Sequence, residues 1–254
     1  MDRKVALTAI IPTLNEEHNI RDVIESVSFA DEIIVVDSFS TDNTFAIAKE
    51  TANKVIQHDY KNSAAQKNWI IPQAKHEWIL IIDADERVTM ALRDEIIGVL
   101  ESKSKINCYW IYRANFFMGR KIKFSGWQND RVIRLFKRDL CRYEHKQVHA
   151  EIIPVGKAGT LKNKILHNTY TNIDNYVNKL NRYAWWQAND LYNGKFGHIT
   201  FFHIIIKPFY RFVYHYFIKL GIFDGIPGFT ISILNSYAVG TRYIKLWLKR
   251  KKLE

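Results

Sequence analysis

Long apolar runs are missing from this 254-residue chain. A membrane-spanning helix needs roughly 20 consecutive, predominantly apolar residues, and no stretch supplies them. Cysteine is scarce as well. The two present, Cys108 and Cys141, are far apart and form neither a CxxC nor a Cys/His cluster. That excludes a zinc-finger-like site and a secreted disulfide framework, and predicts two reduced, partly buried thiols. Glycine is absent from the segment IIPTLNEE that follows the first apolar run. An enzyme that cradles a triphosphate on a glycine-rich loop is therefore excluded. The N-terminus, MDRKVALTAIIPTLNEE, begins with basic residues, but its apolar run soon meets Pro12, Asn15 and two glutamates. It reads as a first strand, not a signal peptide, so the expected location is cytoplasmic.

Hydrophobic residues make up 47% of the chain and charged residues 25%, the balance of a folded globular protein. The net charge of +11 is unevenly placed. From Lys195 onward, ten basic residues face only Asp224 and Glu254, so the last quarter holds most of the excess. Fourteen of the 35 aromatic residues fall in the same stretch. Its apolar segments are broken by Lys207, Pro208, Arg211 and Lys219. Aromatics at a boundary with Lys and Arg beside them fit helices lying in a membrane interface, with an anionic membrane surface as partner.

The first hundred residues alternate strand and helix, which predicts an α/β fold with a mainly parallel sheet and flanking helices. Strands are expected at Leu7–Ile11, Ile33–Val36, Val55–Ile56 and Trp78–Ile82. Ile20, Val23, Ile24 and Val27 have the spacing of one buried helix face. Ser40–Thr41 is the expected cap of a second helix, and Pro72 should disturb a third that starts near Ser63. Thr89 should cap a fourth, with Leu92, Ile96 and Leu100 inward. Cys108–Arg113 and Arg131–Phe136 alternate like strands. Val177, Leu180, Ala184 and Leu191 mark an amphipathic helix. The expected division is a catalytic domain at 1–173 and a helical region at 174–254.

Two carboxylate sites sit just past apolar strands, at Asp37 and at Asp83-Ala84-Asp85-Glu86. Ligands of open α/β sheets bind outside the carboxyl ends of the strands, so both sites point to one crevice. A D-x-D turn offers hard oxygen ligands for Mg²⁺ or Mn²⁺ on a diphosphate. Basic charge interleaved with aromatics also suits a non-enzymatic protein on nucleic acid or membrane. That alternative leaves Asp37, Asp83 and Asp85 without a role, so nucleic acid is not an expected partner.

Four stretches in order, IIPTLNEE (10–17), the Asp37 stretch ending in Ser-Thr-Asp (40–42), AAQKNW (64–69) and ILIIDADE (79–86), resemble the inverting glycosyltransferase family 2 with its Rossmann-like GT-A fold. The resemblance implies a nucleotide-sugar donor held by Pro12, Thr13, Glu16, Asp37, Lys67 and Asp83. Lys67 stands where the family usually has Arg, keeping the charge without the planar fork; a solvated helix lysine is its other reading. Asp83 and Asp85 match the metal and diphosphate motif, with His149 as a further metal contact. The stretches FSGWQNDRVIRLFKRD, RYEHKQVHAEI and KPFYRFVYHYFIKLGIFDGIPGF resemble the lipopolysaccharide-core glucosyltransferases. They imply UDP-glucose or another UDP-hexose as donor, a lipid-linked glycan acceptor, and a peripheral place on the inner face of the cytoplasmic membrane. An inverting transfer needs a carboxylate that takes the acceptor proton. Glu151 is the first candidate and Asp130 the second. Trp127 is expected in the core, while sugar choice and oligomeric state stay open.

Overall fold

The computed structural model describes residues 5–102, 105–144, 151–170 and 172–253. They divide into two compact units, 1–114 with 130–167, and 115–129 with 168–254.

The first unit opens as the sequence predicts. Strands β1 (Leu7–Thr13), β2 (Glu32–Asp37) and β3 (Lys54–Gln57) alternate with helices α1 (Ile20–Ser26) and α2 (Thr44–Thr51). Helix α3 (Ser63–Ile70) runs into a tight 3₁₀ turn at Ile71–Gln73, where Pro72 stops it, and β4 (Trp78–Ile81) follows. These four strands pair in parallel in the order β3-β2-β1-β4. Alternate residues face opposite ways along a strand. Ala9, Ile11, Val35 and Leu80 therefore enter one core, and Ile10, Ile34, Val36 and Ile79 the other. Covering both faces is what makes the strands nearly continuous apolar runs.

Beyond β4 the sheet is mixed. Strands β5 (Glu86–Arg87), β6 (Ile106–Phe117), β7 (Arg120–Lys121) and β8 (Arg131–Lys137) follow, with α4 (Met90–Glu101) between β5 and β6. Strand β8 is antiparallel to both β4 and β6. Hairpin β9 (Cys141–Tyr143) with β10 (Ile152–Pro154) forms a separate ribbon. Then come β11 (Lys157–Thr160) and β12 (Ile165–Tyr170), whose His167 registers with Glu86. The α/β expectation holds, with a sheet that is parallel through β4 and mixed beyond it, where β8 runs antiparallel to β4 and β6 and β11 runs parallel to β6.

Two caps separate expectation from outcome. The Thr89 hydroxyl accepts from Leu92 N at 3.2 Å, and Leu92, Ile96 and Leu100 are buried as expected. Ser40 and Thr41 do not cap α2, which starts at Thr44 after Asn43. Ser40 instead donates to Asp37 and Thr41 bonds Asn15. Cys108 and Cys141 are free and buried, and burial pushes the Cys108 thiol up to about 12, leaving it an inert apolar side chain.

In the second unit, Met118 and Gly119 have φ of 50° and 74°, the two positive values that a tight hairpin between β6 and β7 requires. Helix α5 (Ile173–Asn193) buries Tyr176, Ala184 and Ala188; Val177 and Leu191 are only half-buried. Phe117 meets Trp127 and Tyr176 edge-on, at 6.3 and 5.3 Å, so Trp127 packs against the core. Helical residues Phe202–Ile218 contain α6 (Lys207–Val213) between two wide turns, and a 27-residue helix α7 (Gly225–Lys251) follows. Asp224 joins the pieces, accepting from Lys123 N, Phe124 N and Ser125 Oγ at 2.9, 3.0 and 2.7 Å.

Two helical glycines should respond oppositely to Ala. A Cβ on Gly228 would lie 2.0 Å from the Gly221 carbonyl oxygen, so backbone must move. A Cβ on Gly98 of α4 meets nothing within 4 Å. Gly228→Ala should destabilise by about 1–3 kcal/mol, whereas Gly98→Ala should stabilise by about 0.5–1 kcal/mol. Urea unfolding of both variants checks the pair. Equal effects would show that α7 does not approach Gly221 so closely.

Candidate functional site

The carboxyl ends of β1, β2 and β3 meet in register at Thr13, Asp37 and Gln57. Asp37 is buried, and its carboxylate accepts from Ser40 Oγ at 2.5 Å, from Ser40 N at 3.1 Å and from Gln57 Nε2 at 3.0 Å. Thr13 is buried beside it, its hydroxyl without a hydrogen-bond partner among the described residues, and Pro12 registers with Val36 one residue earlier. Past β3, His58 stacks on Trp69 with ring centroids 3.7 Å apart.

The turn after β4 is built around Glu86. This carboxylate is fully buried; Oε2 accepts from Asp83 N at 3.0 Å, and Oε1 pairs with Arg134 at 2.8 Å and Arg113 at 3.5 Å. A buried carboxylate persists only when paired and hydrogen-bonded, and β8 and β6 deliver the two arginines.

Asp83 is held between two cations. Oδ1 pairs with Lys67 Nζ at 2.8 Å and Oδ2 pairs with Arg134. Burial opposes the charge on Asp83, but Arg134 and Lys67 outweigh it and hold the carboxyl far below the usual range. Burial likewise opposes the charge on Arg134, and Asp83 and Glu86 overturn it, raising that guanidinium well above its ordinary value. Lys67 lies on the inward side of α3 with Ala64, Gln66 and Ile70, so it is buried and ion-paired, not a solvated helix lysine.

Asp85 has different company. Its Oδ2 lies 3.4 Å from His167 Nε2. Glu16 is near enough to feel the Asp85 charge: burial raises its pKa first, and Asp85 and Asp42 add to the rise, against the Asn19 hydrogen bond. Sequence reasoning missed His167, because its pairing with β5 comes from a strand eighty residues away. Among the described residues no three His, Cys, Asp or Glu side chains converge as a metal site. His149 lies outside the described residues.

The two candidate bases differ in setting. Asp130 is gripped by the Arg113 fork, with Oδ1 at 2.7 Å and Oδ2 at 3.0 Å. Glu151 is exposed and sits just before β10, its carbonyl accepting from Glu144 N at 2.9 Å. It lines a cavity of about 180 Å³ together with Lys67, Asp83, Arg131, Arg134 and Tyr143. Asn68 ties this hairpin to α3, its amide accepting from Tyr143 N at 2.8 Å and donating to Tyr143 O at 2.9 Å. The structure thus gathers Lys67, Asp83 and Glu151 at one cavity, and Asp130 does not line it.

Comparison with known proteins agrees with this geometry. Residues 8–153 match the profile described as Glycosyl transferase family 2. An uncharacterised glycosyltransferase of Rickettsia typhi is 31% identical, covering 94% of this chain and 86% of the relative. The lipopolysaccharide core biosynthesis glycosyltransferase LpsC of Rhizobium meliloti is 30% identical, covering 89% and 86%. Among solved structures, glucosyl-3-phosphoglycerate synthase of Mycobacterium tuberculosis, crystallised with Mn²⁺ and UDP, superposes with a TM-score of 0.37 at 23% identity; the match covers 45% of this chain and 44% of that one. The matched family and the length of the shared alignments, over a GT-A-like α/β sheet that carries its acids at the strand ends, make this chain a member of glycosyltransferase family 2 and a glycosyltransferase.

Proposed function

We propose that this enzyme transfers a hexose, with inversion, from a UDP-sugar such as UDP-glucose to a lipid-linked glycan of the lipopolysaccharide-core type. The acceptor class rests on the likeness to LpsC over nearly the full chain. The observation that carries the chemistry is the cavity in which Glu151, without a cation partner among the described residues, faces the same space as Asp83 and Lys67. A general base needs an oxygen free to take the acceptor proton, and the Arg113 fork occupies both oxygens of Asp130. In this reading Glu151 takes the proton from the attacking acceptor hydroxyl, while Pro12, Thr13, Glu16 and Asp37 border the nucleoside. Lys67 and Arg134 fix Asp83 against the donor.

The donor set fits a divalent cation at Asp85, not at Asp83. Both Asp83 oxygens are already neutralised, whereas Asp85 and His167 offer an oxygen and a nitrogen 3.4 Å apart. Mg²⁺ and Mn²⁺ take one or two protein ligands and complete their shell with substrate phosphates. When bound there, the cation would offset the charge that develops on the departing diphosphate.

Residues 1–173 form the catalytic region in this proposal and 174–254 the membrane-facing one, peripheral on the cytoplasmic face. No single helix among the described residues is long and apolar enough to cross a membrane, and the pair Phe202–Ile218 and Gly221–Lys251 is bent by 70°. Around that bend Phe223 and Ile226 are 71% and 82% exposed, with Phe217, Ile218, Leu220 and Ile222 also exposed. Apolar surface of this density, next to basic residues, supports the reading of an interfacial element.

Asp85→Ala and His167→Ala should each abolish the Mn²⁺-dependent part of UDP binding, measured by calorimetry; undiminished metal-dependent binding in both would place the cation elsewhere. Glu151→Gln should lower kcat by about 10²–10⁴-fold with donor affinity near wild type. Full activity in Glu151→Gln beside loss in Asp130→Asn would transfer the role to Asp130. Phe223→Asp with Ile226→Asp should release the protein from anionic vesicles, and high salt should weaken wild-type binding. Unchanged sedimentation with vesicles would remove the bend from the membrane contact.

A further inference from the structure

The cavity that contains Glu151 has cationic and hydrogen-donating groups that the transfer chemistry leaves unused. Three cations line it, Lys67, Arg131 and Arg134, against the carboxylates of Asp83 and Glu151. Lys67 and Arg134 are both committed to Asp83. Arg131 is exposed, and among the described residues no carboxylate lies within ion-pair distance of it. It is nonetheless positioned, because its guanidinium carbon lies 4.7 Å from the centroid of Trp110. Trp110 registers with Ile133 and Arg131 with Tyr112, so the two are diagonal neighbours on β6 and β8. Stacking on an aromatic face holds the guanidinium fork in place while its N–H edges stay available.

Two buried groups lack partners at the same cavity. Tyr143 is 7% exposed and its hydroxyl has no hydrogen-bond partner among the described residues; Arg134 Nε is likewise buried and unpaired among them. Buried polar groups are nearly always satisfied, so each exception asks for an explanation. Here both are donors, and a stacked cation shares their cavity. Donors around a net positive lining are what an oxyanion requires.

We infer that Arg131 and Tyr143 bind a negatively charged group, a phosphate or a carboxylate, carried by the acceptor glycan. The inference rests on the reading of Glu151 as the base, since the cavity that holds the base must admit the acceptor. The donor diphosphate is the other source of the same chemistry. Asp85 and His167, the pair suited to its cation, do not line this cavity. Arg131 is thus a specificity-determining residue: it selects acceptors that bear an anion close to the hydroxyl that Glu151 deprotonates.

The test uses the full chain and inorganic phosphate, with acetate as the carboxylate probe, titrated calorimetrically with and without saturating UDP and Mg²⁺. Phosphate or acetate should bind equally well in both conditions. Arg131→Ala should weaken that binding about tenfold or more, the usual effect of losing a charge-assisted hydrogen bond. Tyr143→Phe, which removes one oxygen from a side chain otherwise kept, should weaken it by a smaller factor, and both variants should keep wild-type UDP affinity. Absence of binding by either anion, or unchanged binding in Arg131→Ala, overturns the inference. Displacement of the anion by UDP also overturns it, by giving the site to the donor. Failure of UDP itself to bind would count against the donor reading alone, because anion binding is read in its absence as well.

Discussion

The buried Glu86 carboxylate constrains everything around it. Moving an isolated carboxylate out of water is prohibitively costly, so a fully buried one demands cations and hydrogen bonds at fixed places. Arg134 from β8 and Arg113 from β6 supply the cations, and the Asp83 amide supplies the hydrogen bond. Strand β8 therefore lies antiparallel beside β4, with β6 antiparallel on its far side, and there the sheet departs from its parallel half. Arg134 then reaches from Glu86 to Asp83, and Lys67 completes the set from α3. Removing one member of such a group typically costs about 3–5 kcal/mol, because it strands the others. The cluster orients Asp83 rigidly and leaves Asp85, two residues on, turned to His167. One turn thereby separates an acid neutralised by two cations from one whose neighbour is a histidine.

The β9–β10 hairpin depends on the same helix that carries Lys67. Asn68 gives Tyr143 the pair of hydrogen bonds that an adjacent strand would give, so α3 holds the hairpin as though it were part of a sheet. Lys67 and Asn68 are neighbours in sequence, yet one serves the acid at the end of β4 and the other the hairpin that bears Glu151. The motif AAQKNW thus ties the Asp83 turn and the β9–β10 hairpin to one turn of helix. An Arg at position 67 would add a fork, but Arg134 already supplies a guanidinium to Asp83, which is a physical reason why a lysine suffices there.

Much of the first hundred residues was legible because local patterns and tertiary burial agree there. Leu7–Ile11, Ile33–Val36 and Trp78–Ile82 are continuous apolar runs, and such runs form strands buried on both faces. Thr89 reads as a cap because its partner is three residues away. Ser40 misled the reading: a hydroxyl before a helix caps it only if nothing better is near, and buried Asp37 was nearer. Glu86 and His167 were illegible for the same reason at longer range. Nothing within ten residues of Glu86 announces Arg113 or Arg134, and His167 gains its meaning only from register with β5. Asp83 and Asp85 look equivalent in sequence, and only the contacts of Lys67 and Arg134 tell them apart.

The second unit poses the opposite problem, with many apolar residues and few buried ones. Helix α7 buries Ile231, Tyr243 and Leu246, yet Ile226, Phe229, Ile233, Tyr237, Ile244 and Trp247 are exposed. An amphipathic helix whose partner were only its own unit would turn such residues inward. The bend at 219–224 is stiff, since Asp224 holds three donors and Gly228 touches the Gly221 carbonyl too closely for any larger residue. A stiff corner that presents Phe223 and Ile226 keeps its apolar surface outward without the entropy cost of a flexible loop. In the proposed reading, that property suits a surface that meets a bilayer without entering it as a span. A lipid-linked acceptor cannot leave the membrane, so an enzyme that works on it gains from a fixed apolar corner and a basic helix end.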